Sequence, residues 1–224
     1  MSALLRVHKL FQMKFLSKII FVAAAATAAC ASFAEDLKFA GMGSSSPLSV
    51  SVSLNGGSFK NTYAGILKMT DGVQTINSYC ADVFSPLNTS YHSYTVSNVD
   101  FNAGTNLAMA GRIVANSYFE ADTASEQAAL QLAIWSALHN GGSAFNAGGS
   151  AVKFSNVSSD ILSLASVYFD KGSVDPVNSA TFFGSSASGA QSQIMASPVP
   201  EPFTMGLLGA AGLAAILRRR RASR

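Results

Sequence analysis

Two side chains of this sequence, a thiol and a carboxamide, are of types that can react with each other. Cys80 lies in the segment Ser-Tyr-Cys-Ala-Asp (78–82) and is one of two cysteines in the chain. Gln131 is the single glutamine of the apolar segment Leu-Gln-Leu-Ala-Ile-Trp (130–135), which is typical of a buried helix. If the Cys80 thiolate attacks the Gln131 side-chain carbonyl and ammonia leaves, the two side chains become an internal thioester.

An internal thioester would explain why the chain has both a free thiol and a glutamine within an apolar helix. A carboxamide that finds no partner near a protein core costs about 1–3 kcal/mol, and the thioester removes that demand together with the free thiol. The bond survives only where water is kept away, and we predict that Tyr79, Ile134 and Trp135 shield it. An amine such as a lysine side chain could then open the bond and stay covalently attached to Gln131.

Two other interpretations of these residues stay open. In the first, Cys80 is an inert buried thiol, and Gln131 hydrogen-bonds to a neighbouring backbone within an ordinary core helix. In the second, Cys80 is the nucleophile of an enzyme and acts with His92 or His139 and with Asp82.

Common enzyme classes and bound cofactors have little support in the sequence. The chain has no glycine-rich phosphate loop with a lysine, no HExxH or CxxC pair and no GxSxG elbow. Its residues Asp71, Asp82 and Asp100 lack the spacing of a calcium-binding loop. We therefore predict a non-enzymatic protein with no cofactor and no metal site.

Strand patterns dominate the first half of the chain, where Cys80 lies. The predicted strands are residues 48–54, 63–70, 73–79 and 91–99. They alternate apolar and polar side chains or are rich in β-branched and aromatic residues. The pair Asp71-Gly72 between the second and third strands predicts a two-residue hairpin turn. Cys80 then follows the second strand of this hairpin directly.

Helical patterns dominate the second half, where Gln131 lies. The predicted helices are residues 107–119, 128–138 and 158–169, and the predicted closing strands are 181–183 and 193–195. Thr123 and Glu126 have the spacing of a capping box before the second helix. The order of elements predicts a mainly β, α+β fold, in which a β-sandwich or barrel carries two or three inserted helices. A C-terminal transmembrane helix is predicted to follow this body.

The N-terminal residues 1–34 have the three-part layout of a secretory signal peptide. Basic residues precede an apolar run at 19–29, and small residues follow up to Ala34. A retained membrane anchor is the alternative. If cleavage follows Ala34, Cys30 leaves with the signal and Cys80 stays unpaired, although secreted proteins usually pair their cysteines.

The C-terminal residues 198–224 form a second targeting segment. The motif Val199-Pro200-Glu201-Pro202 precedes an apolar stretch at 203–217, and Arg218, Arg219, Arg220 and Arg221 follow it. A 15-residue helix reaches about 22 Å and therefore spans a hydrocarbon core of about 30 Å only marginally. The arginines are predicted to stop the helix at the cytoplasmic face, which leaves the body outside the cytoplasm. A plain C-terminal anchor is the alternative.

This tail resembles the PEP-CTERM sorting signal of Gram-negative bacteria, which is also called the ice-binding protein C-terminal domain. The resemblance implies an exosortase, a membrane-embedded protease, as a partner beside signal peptidase. It also implies a precursor anchored in the inner membrane and a mature protein at the cell surface or in the exopolysaccharide matrix of a biofilm.

The Tyr79-Cys80 pair, together with Gln131-x-Ala-Ile-Trp, resembles the Cys–Gln thioester-forming domains of bacterial surface adhesins. The resemblance implies that Cys80 and Gln131 form the bond described above. It also implies a β-rich fold with an inserted helical part, and adhesion through covalent attachment.

The charge distribution bears on the remaining classes of partner. Of 15 basic residues, four lie in the first 18 positions and five in the last seven, whereas all 12 acidic residues lie between these ends. An acidic body argues against a nucleic-acid partner. We therefore expect an extracytoplasmic domain at residues 35–197 that attaches to amine-bearing surface ligands through a thioester. The alternative is a passive structural or polysaccharide-binding matrix module.

Overall fold

The computed structural model describes residues 32–43, 47–185 and 190–197, which contain nine strands and three α-helices. The strands are β1 (Phe33–Met42), β2 (Leu48–Leu54), β3 (Lys60–Ala64), β4 (Leu67–Thr70), β5 (Thr75–Cys80), β6 (His92–Asn98), β7 (Val152–Ser155), β8 (Ser179–Ser185) and β9 (Gln193–Ser197). The helices are α1 (Asn106–Ser117), α2 (Ala124–Trp135) and α3 (Ser159–Asp170). The predicted mainly β class with inserted helices is confirmed.

Six strands close into an antiparallel barrel in the order β1-β4-β5-β9-β8-β6, and the other three form a separate sheet in the order β3-β2-β7. Strand β1 closes the barrel by pairing with both β4 and β6. A small apolar core fills the barrel with Leu37, Met69, Tyr94, Val96 and Phe183. The alternative of a sandwich or a barrel is thus resolved in favour of a barrel.

A larger core joins the helices, the small sheet and one side of the barrel. Helix α2 lies at its centre, because all of its residues from 128 to 135 are buried. The helix is apolar on every face, as expected for one that is surrounded by protein. Any polar side chain in its second half must therefore find its partners inside the protein, and this applies to Gln131.

The capping box fixes where α2 begins. The Thr123 hydroxyl accepts a hydrogen bond from the Glu126 N–H at 3.3 Å, and the Glu126 carboxylate accepts one from the Thr123 N–H at 2.8 Å. The helix therefore begins at Ala124, four residues before the predicted start. At the other end it widens after Trp135 into a π-helical turn at Ser136–Asn140, a feature often found near functional sites.

The turn between β4 and β5 is wider than predicted. Thr70 pairs with Thr75, so the loop contains four residues, and the prediction of a two-residue turn was wrong. The Asp71 carboxylate accepts hydrogen bonds from the backbone N–H groups of Val73 and Gln74, both at 2.7 Å. These bonds give two backbone N–H groups of the four-residue loop a partner, and they lower the pKa of Asp71.

The predicted strand at 63–70 is two strands that belong to different sheets. Strand β3 ends at Ala64 and β4 begins at Leu67, with Gly65 between them at a φ of 141°. Side chains disfavour this conformation, whereas glycine adopts it freely. The chain can therefore turn away here from one sheet and into the other.

The two targeting segments fall almost entirely outside the described residues. The motif at 199–202, the predicted transmembrane helix at 203–217 and the arginine cluster all lie there. Among the residues that are described, no helix is both long and apolar enough to cross a membrane. Strand β1 begins at Phe33, so the predicted cleavage after Ala34 falls inside it.

Candidate functional site

Cys80 and Gln131 lie side by side in the structure. The Gln131 Oε1 accepts a hydrogen bond from the Cys80 backbone N–H at 3.0 Å, and the Gln131 Nε2 donates to the Cys80 carbonyl oxygen at 2.8 Å. Cys80 is 5% exposed and Gln131 is completely buried. The structure thus brings together the two residues that the sequence singled out, although they are 51 positions apart.

The geometry of strand β5 explains why a side chain can bond to the Cys80 backbone. On one edge of β5, Cys80 pairs with Gln193 of β9. On the other edge the pairing with β4 stops at Ser78, which lies opposite Leu67. The chain has already turned away at Gly65, so that edge of Cys80 has no strand beside it. The Gln131 carboxamide takes this place and bonds to Cys80 as a peptide group of a further strand residue would.

The Cys80 thiol is held in its neutral form. Its Sγ donates a hydrogen bond to the Asp82 carbonyl oxygen at 2.8 Å. Burial raises the pKa of Cys80 well above its ordinary value, and the nearby negative charge of Asp82 acts in the same direction. The Trp135 indole N–H acts to lower that pKa, but its effect is smaller than that of burial. It makes no regular hydrogen bond with any described residue. A neutral thiol stays inert towards solvent until a proton acceptor reaches it.

A network of amide groups surrounds the Asp82 carbonyl oxygen, which accepts the hydrogen bond from the Cys80 thiol. The Gln191 Nε2 donates to the carbonyl oxygens of Asp82 at 2.7 Å and Ser85 at 3.2 Å. The backbone N–H of Ser192 donates to the Asp82 carboxylate at 2.8 Å. Gln193 continues the network by donating to Gln191. The polar sequence before β9 was the available signal for this network, which the sequence analysis missed.

The three residues predicted to shield the bond are all completely buried. Ile134 and Trp135 lie on α2 with Gln131, and the Trp135 ring stacks on Phe154 with ring centroids 6.5 Å apart. Tyr79 precedes Cys80 on the strand and therefore points to the opposite face, where it meets Tyr118 edge-on at 5.9 Å. Ile134 and Trp135 thus lie on the Gln131 side, and Tyr79 closes the other face of the strand.

A small cavity of about 60 Å³ reaches both Cys80 and Gln131. Its other lining residues are Met42, Thr62, Tyr63, Gly65, Leu67, Leu87 and Gln191. It has room for a few water molecules or one slender organic group. Tyr63, one of these lining residues, is 61% exposed, so the cavity lies next to the protein surface.

The alternative pairing of Cys80 with a histidine finds no geometric support. Within the described residues, no hydrogen bond joins Cys80 to His92 or His139, and the Nε2 atom of each histidine is buried without a partner. Burial lowers the pKa of His139, and the negative charge of Asp82 opposes this shift. In the same part of the chain, no cluster of three histidine, cysteine or acidic side chains is placed to hold a metal ion.

Comparison of the chain with protein-family models, with curated proteins and with solved structures finds no match in any of the three.

Proposed function

We propose that this protein is an exported surface or matrix protein whose body forms an internal thioester between Cys80 and Gln131 for covalent attachment to amines. The observation that carries the proposal is the pair of hydrogen bonds between the Gln131 carboxamide and the Cys80 backbone, both in a buried site. These bonds fix the carboxamide beside the residue that carries the nucleophile, and fixed placement of this kind can supply a large part of the rate of an intramolecular reaction.

The hydrogen bonds suit the formation of the bond. The Cys80 Sγ attacks the Gln131 Cδ, and negative charge develops on Oε1, which already accepts the Cys80 N–H. The Cδ–Nε2 bond then breaks, and the thiol proton leaves with the nitrogen as ammonia. The Cys80 carbonyl oxygen holds Nε2 before it departs. No metal, cofactor or oxidant enters this balance.

The cavity beside Cys80 suits the opening of the bond. An unprotonated primary amine on a slender chain can enter it and attack the thioester carbon. The carbon–sulfur bond breaks, the thiol is restored, and the amine stays joined to residue 131 as an amide. Each protein molecule reacts once, so the role is attachment and not enzymatic turnover.

Export is proposed from the two ends of the sequence. The layout of residues 1–34 supports secretion, and residues 198–224 support sorting by an exosortase in a Gram-negative bacterium. The acidic body between these ends suits attraction to cationic amine ligands. The mature protein would then act at the cell surface or in the extracellular matrix.

A passive matrix module is the second candidate, and one observation favours it. The two hydrogen bonds to Cys80 already satisfy the buried Gln131 carboxamide without any covalent bond. Exposed aromatic side chains, which can stack on sugars, are present at Phe59, Tyr63, Tyr91 and Phe119. In this case Cys80 and Gln131 would only join helix α2 to the barrel.

Treatment with methylamine distinguishes the two candidates. The exported protein is incubated with methylamine and digested, and the peptide that contains Gln131 is analysed by mass spectrometry. The thioester predicts a methylamide at residue 131 and one newly titratable thiol at Cys80, neither of which forms in Cys80→Ala. An unmodified Gln131, together with a Cys80 thiol that is fully titratable before treatment, would support the passive module.

A further inference from the structure

We propose that Trp135 is a catalytic residue for the opening of this thioester, and that its indole N–H donates a hydrogen bond to the Cys80 sulfur as negative charge develops there. The assignment rests on the proposed thioester and adds a role beyond shielding. It concerns the step in which the carbon–sulfur bond opens.

The position of Trp135 on α2 directs its ring towards the reacting pair. Trp135 is four residues after Gln131, so the two side chains lie on the same face of the helix. Helical side chains tilt towards the N-terminus, and the ring therefore covers the turn from which Gln131 projects. Stacking on Phe154 and complete burial hold the ring in this orientation.

The indole N–H is a buried donor that has no regular partner. Among the described residues, no nitrogen, oxygen or sulfur atom accepts a hydrogen bond from Trp135 Nε1. An unpaired buried donor destabilises a folded protein, and phenylalanine at this position would avoid that cost. Trp135 shares its helix face with Gln131, which is hydrogen-bonded to the Cys80 backbone, so the donor lies on the side of α2 that meets Cys80. The indole N–H also acts to lower the pKa of Cys80.

During the opening reaction, the sulfur can accept a hydrogen bond from this donor. In the resting thiol, the Sγ–H is directed at the Asp82 carbonyl oxygen. During opening, an amine attacks the thioester carbon, the electron pair of the broken bond moves to sulfur, and the proton released by the amine finally joins the sulfur. Among the described residues that line the cavity, there is no histidine, lysine or arginine to stabilise negative charge on the sulfur. The Trp135 N–H supplies a neutral donor that strengthens as the charge grows.

The sequence offers a clean test, because Trp135 is the sole tryptophan of the chain. Growth on benzothienylalanine, in which sulfur replaces the indole N–H, changes this residue alone and keeps the shape of the ring. The rate at which methylamine opens the thioester is measured by mass spectrometry across a pH series. Trp135→Phe is a second variant without the donor, and Leu132→Val, at another buried position of α2, is a packing control that keeps it.

We expect opening to be about tenfold slower, or more, in both variants without the N–H, whereas Leu132→Val stays near the wild-type rate. In the opened protein, the pH at which Cys80 is half-alkylated should also rise in the same two variants. Thioesters that form in all variants and open at equal rates would overturn the role of Trp135 alone. A wild-type protein that loses no ammonia would instead overturn the proposed function, and this assignment with it.

If the variants without the donor fail to accumulate as folded protein, the pH dependence of Cys80 alkylation is measured on the folded fraction. An unchanged pH profile in that fraction contradicts the proposal, and a shift to higher pH supports it.

Discussion

The Gln131 carboxamide bonds to Cys80 in both directions, accepting from its N–H at 3.0 Å and donating to its carbonyl oxygen at 2.8 Å. One side chain thereby replaces a strand neighbour where β4 has turned away. These hydrogen bonds tie the central helix to the barrel, and they place the carboxamide beside the residue that carries the thiol. The structural role and the proposed chemical role therefore depend on the same two residues, and they must be separated by experiment.

Substitution of Gln131 tests the structural role. In a Cys80→Ala background, where no thioester can form, Gln131→Ala leaves the residue 80 N–H and carbonyl buried without partners. We expect the free energy of unfolding, measured in urea, to fall by about 2–4 kcal/mol. Gln127→Ala, one turn earlier, is the matched control, because Gln127 is half-buried and makes one long hydrogen bond of 3.4 Å to Asp122. Equal losses in the two variants would show that the paired hydrogen bonds contribute nothing specific.

Much of this site could be predicted from the sequence, because its two halves have strong local patterns. Alternation predicted β2 with its observed bounds, and the capping box at Thr123 placed the start of α2 close to the segment that holds Gln131. Burial of Gln131 followed from apolar neighbours on every side of the helix. These features depend on residues that are close in the chain.

The rest of the site depends on contacts between distant segments, which no local pattern contains. The break at Gly65 lies within the mostly apolar run at 63–70, and the pairing of β3 and β4 with different sheets reveals it. Gln191 reaches the Asp82 carbonyl oxygen from 109 positions away. The wider hairpin depends on the Asp71 carboxylate, which competes for backbone N–H groups that a two-residue turn would pair differently.

Stability should fall in alkaline solution because buried phenols resist ionisation. Burial raises the pKa of Tyr118 and of Tyr168 from 10.0 to about 12 in the folded protein. Their contribution is therefore complete below pH 10 and is lost as the pH rises towards 12, since the unfolded chain releases these protons first. Urea unfolding at a series of pH values measures this loss, and Tyr118→Phe should reduce it.

The thiol adds a second alkaline effect that depends on the thioester. Burial also raises the pKa of Cys80 above 9.0, so a protein opened by methylamine should begin to lose stability near pH 9.0. Cys80→Ala should lose stability only from about pH 10, where the raised pKa of the buried tyrosines takes effect. Identical pH profiles for the two proteins would contradict the burial of a neutral thiol.

The tail should control where the protein accumulates. In a Gram-negative host with an exosortase, tagged full-length protein should reach the cell surface or the matrix, as measured by fractionation and immunoblotting. Deletion of residues 198–224 should release a soluble exported body. Substitution of Glu201, in a chain that keeps its arginine cluster, should leave an uncleaved membrane-bound precursor. Retention of all three proteins in the cytoplasm would contradict the proposed export.

The intact mass of the exported protein, denatured in acid and never exposed to amines, tests the central claim most directly. The thioester predicts a mass one ammonia below that of the processed sequence, and it predicts that Cys80→Ala and Gln131→Ala each restore the full expected mass. A wild-type protein of full mass, with one thiol that titrates on denaturation, would show that Cys80 and Gln131 are joined by hydrogen bonds alone.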